Sequence, residues 1–100
     1  AIAALLGAVI AGPGAGQASD LSEETVSVLA GTCANCHGTD GRSPGDIPSI
    51  AGMPERVLAA QLAAFRAGEV TGATVMTRIA RGYSEEQLDA LARYFSEQAE

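Results

Sequence analysis

The only two cysteines and the only histidine of this chain lie within one pentapeptide, Cys33-Ala34-Asn35-Cys36-His37. Thiols three residues apart near a helix end sit within one turn on the same side, where both can add to the two vinyl groups of one porphyrin. The adjacent imidazole of His37 is then placed to send a ring nitrogen to the iron. The spacing is that of a c-type haem attachment motif, and bonding at two points would retain the cofactor in a domain with a small core. Three other chemistries fit less well. A disulfide at this spacing closes too short a loop to stabilise a domain much. A thioredoxin-like pair requires a βαβ context, and a tetrahedral zinc site requires a fourth ligand where no further Cys or His exists.

A haem iron has two axial positions. With His37 on one, the candidates for the other are Met53 and Met76. Met53 follows His37 by only sixteen residues, between Gly52 and Pro54, where reaching the opposite haem face is difficult. Met76 lies thirty-nine residues on, beyond a predicted helix, so the chain has room to wrap the cofactor edge. Met76 is the favoured ligand; the competing reading of either residue is that of a thioether filling a gap in the core. A neutral ligand histidine donates its other ring N–H to an acceptor. Pro48, in Ile47-Pro48-Ser49-Ile50, offers a carbonyl with no accompanying N–H, and a plain turn proline is the alternative. Arg42 is available either to pair with a haem propionate or to remain solvated.

Helices must position these groups. Asp20-Leu21-Ser22-Glu23 has capping-box spacing, and Leu21, Thr25, Val28, Leu29 and Thr32 recur at helical intervals, so a first helix should carry Cys33 to His37 on its end. From Gly38 to Gly52 there are four glycines and two prolines, which predicts an ordered loop. Pro54 sits well for the first turn of a second helix with Val57, Leu58, Gln61, Leu62 and Phe65 on one face, stopped at Gly68. Residues 69–82 read as a loop and then a short helix around Val75, Met76, Ile79 and Ala80. Ser84-Glu85-Glu86-Gln87 is a second capping box, opening a terminal helix with Leu88, Leu91, Ala92, Phe95 and Ala99 on one side. Glu85, Glu86 and Asp89 form its solvated face. No stretch alternates at period two, and the fold class is all-α.

Composition narrows the function. Of 100 residues, 12 are Asp or Glu and 6 are basic, giving a net charge of −6, and every cation is arginine. Nucleic acid and anionic lipid both call for clustered cations, so neither is an expected partner. Hydrophobic residues reach 47% while aromatics are only 4%, with no Trp; a haem would supply the missing bulk. Residues 1–18 carry no charge, and the apolar run ending near Pro13 is shorter than the roughly 20 residues a membrane span requires. It reads as the rear of a signal peptide with cleavage after Ala18, leaving residues 19–100 as one exported monohaem domain.

The strings Cys33-Ala34-Asn35-Cys36-His37-Gly38-Thr39-Asp40-Gly41, Ile47-Pro48-Ser49-Ile50-Ala51-Gly52, Gln61-Leu62 with Phe65-Arg66-Ala67-Gly68, and Leu91-Ala92-Arg93-Tyr94-Phe95 resemble the class I cytochromes c, in particular the small domains of the cytochrome c4 and flavocytochrome c type. Thr74 to Ser84 is similar to the segment around the axial methionine in the haem subunit of flavocytochrome c sulfide dehydrogenase. The resemblance implies three or more helices around one haem, with the first and last crossing. It also implies thioethers at Cys33 and Cys36, axial His37 and Met76, and a Pro48 carbonyl holding His37. Functionally it implies a periplasmic cytochrome subunit, not catalytic by itself, that takes electrons from a separate FAD-bearing subunit oxidising sulfide and passes them to a downstream acceptor. A free-standing soluble carrier is the first alternative. A ligand-binding or peroxidase-like haem protein with an open sixth position is the second.

Overall fold

The computed structural model describes residues 21–100, so the expected signal segment, residues 1–18, lies outside the described residues. Four α-helices follow in order among the described residues, with no strand: α1 (Glu23–His37), α2 (Glu55–Ala67), α3 (Val75–Ala80) and α4 (Glu85–Ser96), plus a 3-10 turn at Thr39–Gly41. This is an all-α architecture. Helix α4 packs against both α1 and α2, and α3 lies on α2.

The terminal helix organises the core. Ser84 and Gln87 form a reciprocal capping box, with Gln87 N–H donating to Ser84 Oγ at 3.1 Å and Ser84 N–H to Gln87 Oε1 at 2.8 Å. Two of the orphan amides of the first turn are thereby satisfied. Leu88, Leu91, Ala92 and Phe95, spaced along one stripe of α4, are all buried, and with Val26, Ala30, Leu58 and Ala80 they make the core. Ala99, expected on the same face, lies beyond the helix end and is exposed.

Helix α1 differs from expectation in its cap and its buried face. Ser22, rather than Asp20, is the residue before the first turn, its Oγ accepting from Thr25 N–H at 3.2 Å. The buried residues of α1 are Val26 and Ala30, while Val28 is 77% exposed and Thr32 is exposed. Leu21 and Leu29 of the expected stripe are half-buried and pack against the core beside Val26 and Ala30. Helix α2 starts after Pro54, which occupies the cap position, and ends at Gly68 in the left-handed conformation (φ 73°). Of its expected stripe, Leu58 is buried and Leu62 and Phe65 are half-buried, whereas Val57 and Gln61 face solvent.

The segment from Gly38 to Gly52 is ordered by contacts with α4. Gly41 is buried at φ 87°, and a Cβ there would lie 2.9 Å from both Ile50 Cγ1 and Phe95 Cδ1, so the loop can sit on the helix only with glycine at this point. Its carbonyl accepts from Ile50 N–H at 2.8 Å and Ala51 N–H at 3.2 Å, and Gly52 N–H donates to Phe95 O at 2.9 Å. The core is apolar throughout: among the described residues no polar or charged side chain is buried.

Leu91 is 1% exposed at the centre of this packing. Leu91→Ala is expected to lower the stability of the haem-bearing protein by about 2–5 kcal/mol in denaturant unfolding. A loss below about 1 kcal/mol would mean that α4 is not the pillar of the core.

Candidate haem attachment site

Cys33, Cys36 and His37 occupy the last turn of α1, which ends at Gly38, whose N–H donates to Ala34 O at 3.0 Å. Gly38 has φ 89°, and a Cβ there would collide with the carbonyl of Arg42, so the chain can double back immediately after the histidine. The two cysteines form no disulfide; Cys33 is half-buried and Cys36 exposed. Burial pushes the Cys33 thiol above its ordinary pKa, partly offset by a backbone hydrogen bond.

Nδ1 of His37 lies 2.6 Å from the carbonyl oxygen of Pro48. A carbonyl only accepts, so Nδ1 must carry the proton and Nε2 must carry the lone pair. The imidazole is thus set in the tautomer that can coordinate a metal through Nε2, with its ring plane fixed from behind.

The loop bearing Pro48 is fastened at several points. Ser43 N–H donates to Ser49 Oγ at 2.8 Å, closing the loop on itself around Pro48. Asp40, in the left-handed region at φ 52°, accepts from the Tyr94 hydroxyl at 3.1 Å. Arg42 meets Asp40 at 3.4 Å and donates through Nη1 to Ala99 O at 2.9 Å, so its guanidinium clasps the chain just after α4. The roles of Asp40 and Tyr94 were missed in the sequence. An Asp-Gly pair directly after the motif, and a tyrosine beside the buried Phe95, were the available signals.

Met76 is half-buried in the first turn of α3, while its neighbour Val75 is 64% exposed. Met53 is half-buried and packs against the core cluster, an ordinary filler position. Among the described residues no group of three or more His, Cys, Asp or Glu side chains is arranged to hold a bare metal ion. The donor set fits a haem instead: two thiols on one helical turn for thioether bonds, and an imidazole with its free nitrogen defined.

This fold and this motif define a class I cytochrome c domain. The chain belongs to the cytochrome c family, whose model matches residues 22–98. It is 41% identical over 75 residues to the cytochrome subunit of sulfide dehydrogenase from Chlorobaculum tepidum, covering 75% of this chain and 67% of that protein. It is 39% identical over 71 residues to cytochrome c-554(548) from Halomonas halodenitrificans, covering 68% of this chain and 86% of that one. A third relative, the thiosulfate dehydrogenase electron acceptor of Thiomonas intermedia, is 41% identical over 69 residues, which cover 67% of this chain but only 31% of the relative. The chain carries haem c, bound covalently through Cys33 and Cys36.

Replacing both cysteines, Cys33→Ala with Cys36→Ala, is expected to release all haem into acid acetone, while either single variant keeps a fraction bound to protein. Haem retained by the double variant would place the attachment elsewhere.

Proposed function

We propose that this chain transfers single electrons in the periplasm as the haem subunit of a sulfide-oxidising flavocytochrome, accepting them from a separate FAD-bearing subunit. The observation that carries the electron-transfer reading is the His37–Pro48 bond of 2.6 Å, since it presets the nitrogen that a haem iron would take. The partner follows from likeness to the sulfide dehydrogenase cytochrome subunit. Export rests on the uncharged stretch of residues 1–18, read as a signal segment that leaves residues 19–100 as the working domain. No helix among the described residues is long and apolar enough to cross a membrane.

When bound, a haem iron supplies one-electron chemistry between its ferric and ferrous states. In this reading His37 Nε2 and the Met76 thioether would hold the iron. Two protein ligands that stay in place in both oxidation states keep the reorganisation small. The thioether favours reduced iron and so raises the potential. Pro48 O accepts the hydrogen bond from Nδ1 of His37 and so leaves Nε2 as the nitrogen that would meet the iron. In this role the chain serves the complex as its electron-transfer subunit rather than as a catalyst by itself, and its acidic balance, net −6, suits a partner with a basic patch.

Protein purified gently from its native periplasm is expected to show haem c and flavin absorption at constant ratio, in a species much heavier than this chain. Haem bands alone at the mass of one small domain would replace the subunit with a free-standing carrier. Met76→Ala is expected to convert the ferric spectrum from low to high spin. An unchanged spectrum would remove Met76 from the iron.

A further inference from the structure

Helix α3, which bears Met76, is only six residues long, and a helix of this length is marginal without tertiary support. Thr74 gives it no side-chain cap. The segment leading into it contains Gly68 and Gly72, both at positive φ, with the turn bond from Ala73 N–H to Val70 O at 3.2 Å. The firm attachments of α3 lie at its other end. Ala80 is buried at 1% exposure, and the turn that follows is held by Gly82 N–H on Ile79 O and Tyr83 N–H on Ala80 O.

Arg66, in the last turn of α2, reaches this turn. Its Nε donates to Tyr83 O at 2.9 Å in a half-buried setting, and its Nη1 lies 3.9 Å from Glu85 Oε2. In return Arg81 Nε donates to Arg66 O at 3.4 Å, and the Arg81 guanidinium lies against Gly68, where a Cβ would come within 2.7 Å of Nη2. Two guanidinium-to-carbonyl bonds therefore run in opposite directions between the end of α2 and the turn after α3. Both acceptors are main-chain atoms, so the pair fixes backbone rather than side chains. Of the six arginines Arg66 is the only one that is not exposed.

We propose that Arg66 is a positioning residue for the second axial ligand: its bond to Tyr83 O holds α3 in the place from which Met76 reaches iron. The proposal rests on the reading of Met76 as that ligand. Without the clamp α3 keeps its sequence and its methionine but spends more time displaced, leaving the sixth position open to competitors. Lysine cannot substitute fully, because the donor used is Nε, while Nη1 points to Glu85, and an ammonium offers no such fork.

Imidazole titration of the ferric holoprotein, followed in the visible spectrum beside thermal unfolding, tests this. Arg66→Ala is expected to raise imidazole affinity roughly tenfold, the scale of losing one charge-assisted hydrogen bond. Val26→Ala, a core truncation where α1 meets α4, is expected to lower the melting temperature with imidazole affinity as in wild type. Should Arg66→Ala fail to mature with haem, Arg66→Lys is expected to show a rise of about threefold. Wild-type affinity in the Arg66 variants, or an equal rise in Val26→Ala, would overturn the proposal. Met76→Ala separates the two readings. If it turns high spin while the Arg66 variants bind imidazole as wild type, the clamp alone fails. If its spectrum is unchanged, the ligand assignment falls and the clamp's role with it.

Discussion

A carbonyl oxygen can only accept a hydrogen bond, and that of Pro48 stands 2.6 Å from Nδ1 of His37. This one contact decides which imidazole nitrogen is free and which way the ring faces. It joins residues eleven apart in sequence, so both ends must be held independently. His37 is held because α1 stops at Gly38, whose positive φ turns the chain sharply. Pro48 is held because the loop is stitched to itself through Ser43 and Ser49, and to the C-terminal end through Asp40, Arg42, Gly41 and Gly52. The remainder of the fold can be understood as the scaffold for that acceptor.

The scaffold is economical in aromatic residues. Phe95 is the one aromatic side chain fully inside the described core, and it serves twice, with its ring against Gly41 and its carbonyl accepting from Gly52 N–H. Small residues (Ala30, Ala80 and Ala92) make up much of the rest of the core, which leaves little apolar area per residue. Covalently held haem adds the large rigid surface that such a core lacks. Membership of the cytochrome c family and the aromatic poverty of the sequence are thus two sides of the same physical situation.

Much of this was readable from the residues. The terminal helix was legible because a capping box and an apolar stripe agree, and the attachment motif was legible because its three chemistry-bearing residues have no other copies in the chain. The buried face of α1 was not. Leu21 and Leu29 of the expected stripe do pack on the core, but Val26 and Ala30 are the residues fully buried, because the direction from which α4 arrives is not written in α1 itself. The change of cap from Asp20 to Ser22 is of the same kind, since both residues have suitable side chains and it is Ser22 Oγ that accepts from Thr25 N–H. Arginine roles were least legible: Arg42 and Arg66 both end on backbone carbonyls far away in sequence, for which composition and periodicity carry no signal.

The stitching of the loop to α4 also divides the molecule by how it opens. Amide hydrogens of Ile50, Ala51 and Gly52 belong to an irregular segment, yet they are bonded to Gly41 and Phe95, which are themselves buried against the last helix. Their exchange with solvent should therefore follow that of α4, at a free energy near that of global unfolding. Helix α3, short and secured mainly at one end, belongs to the low-energy side of the same spectrum. The loop that holds His37 and the helix that bears Met76 thus fall in different cooperative units, one rigid with the core and one able to yield while the fold stays intact.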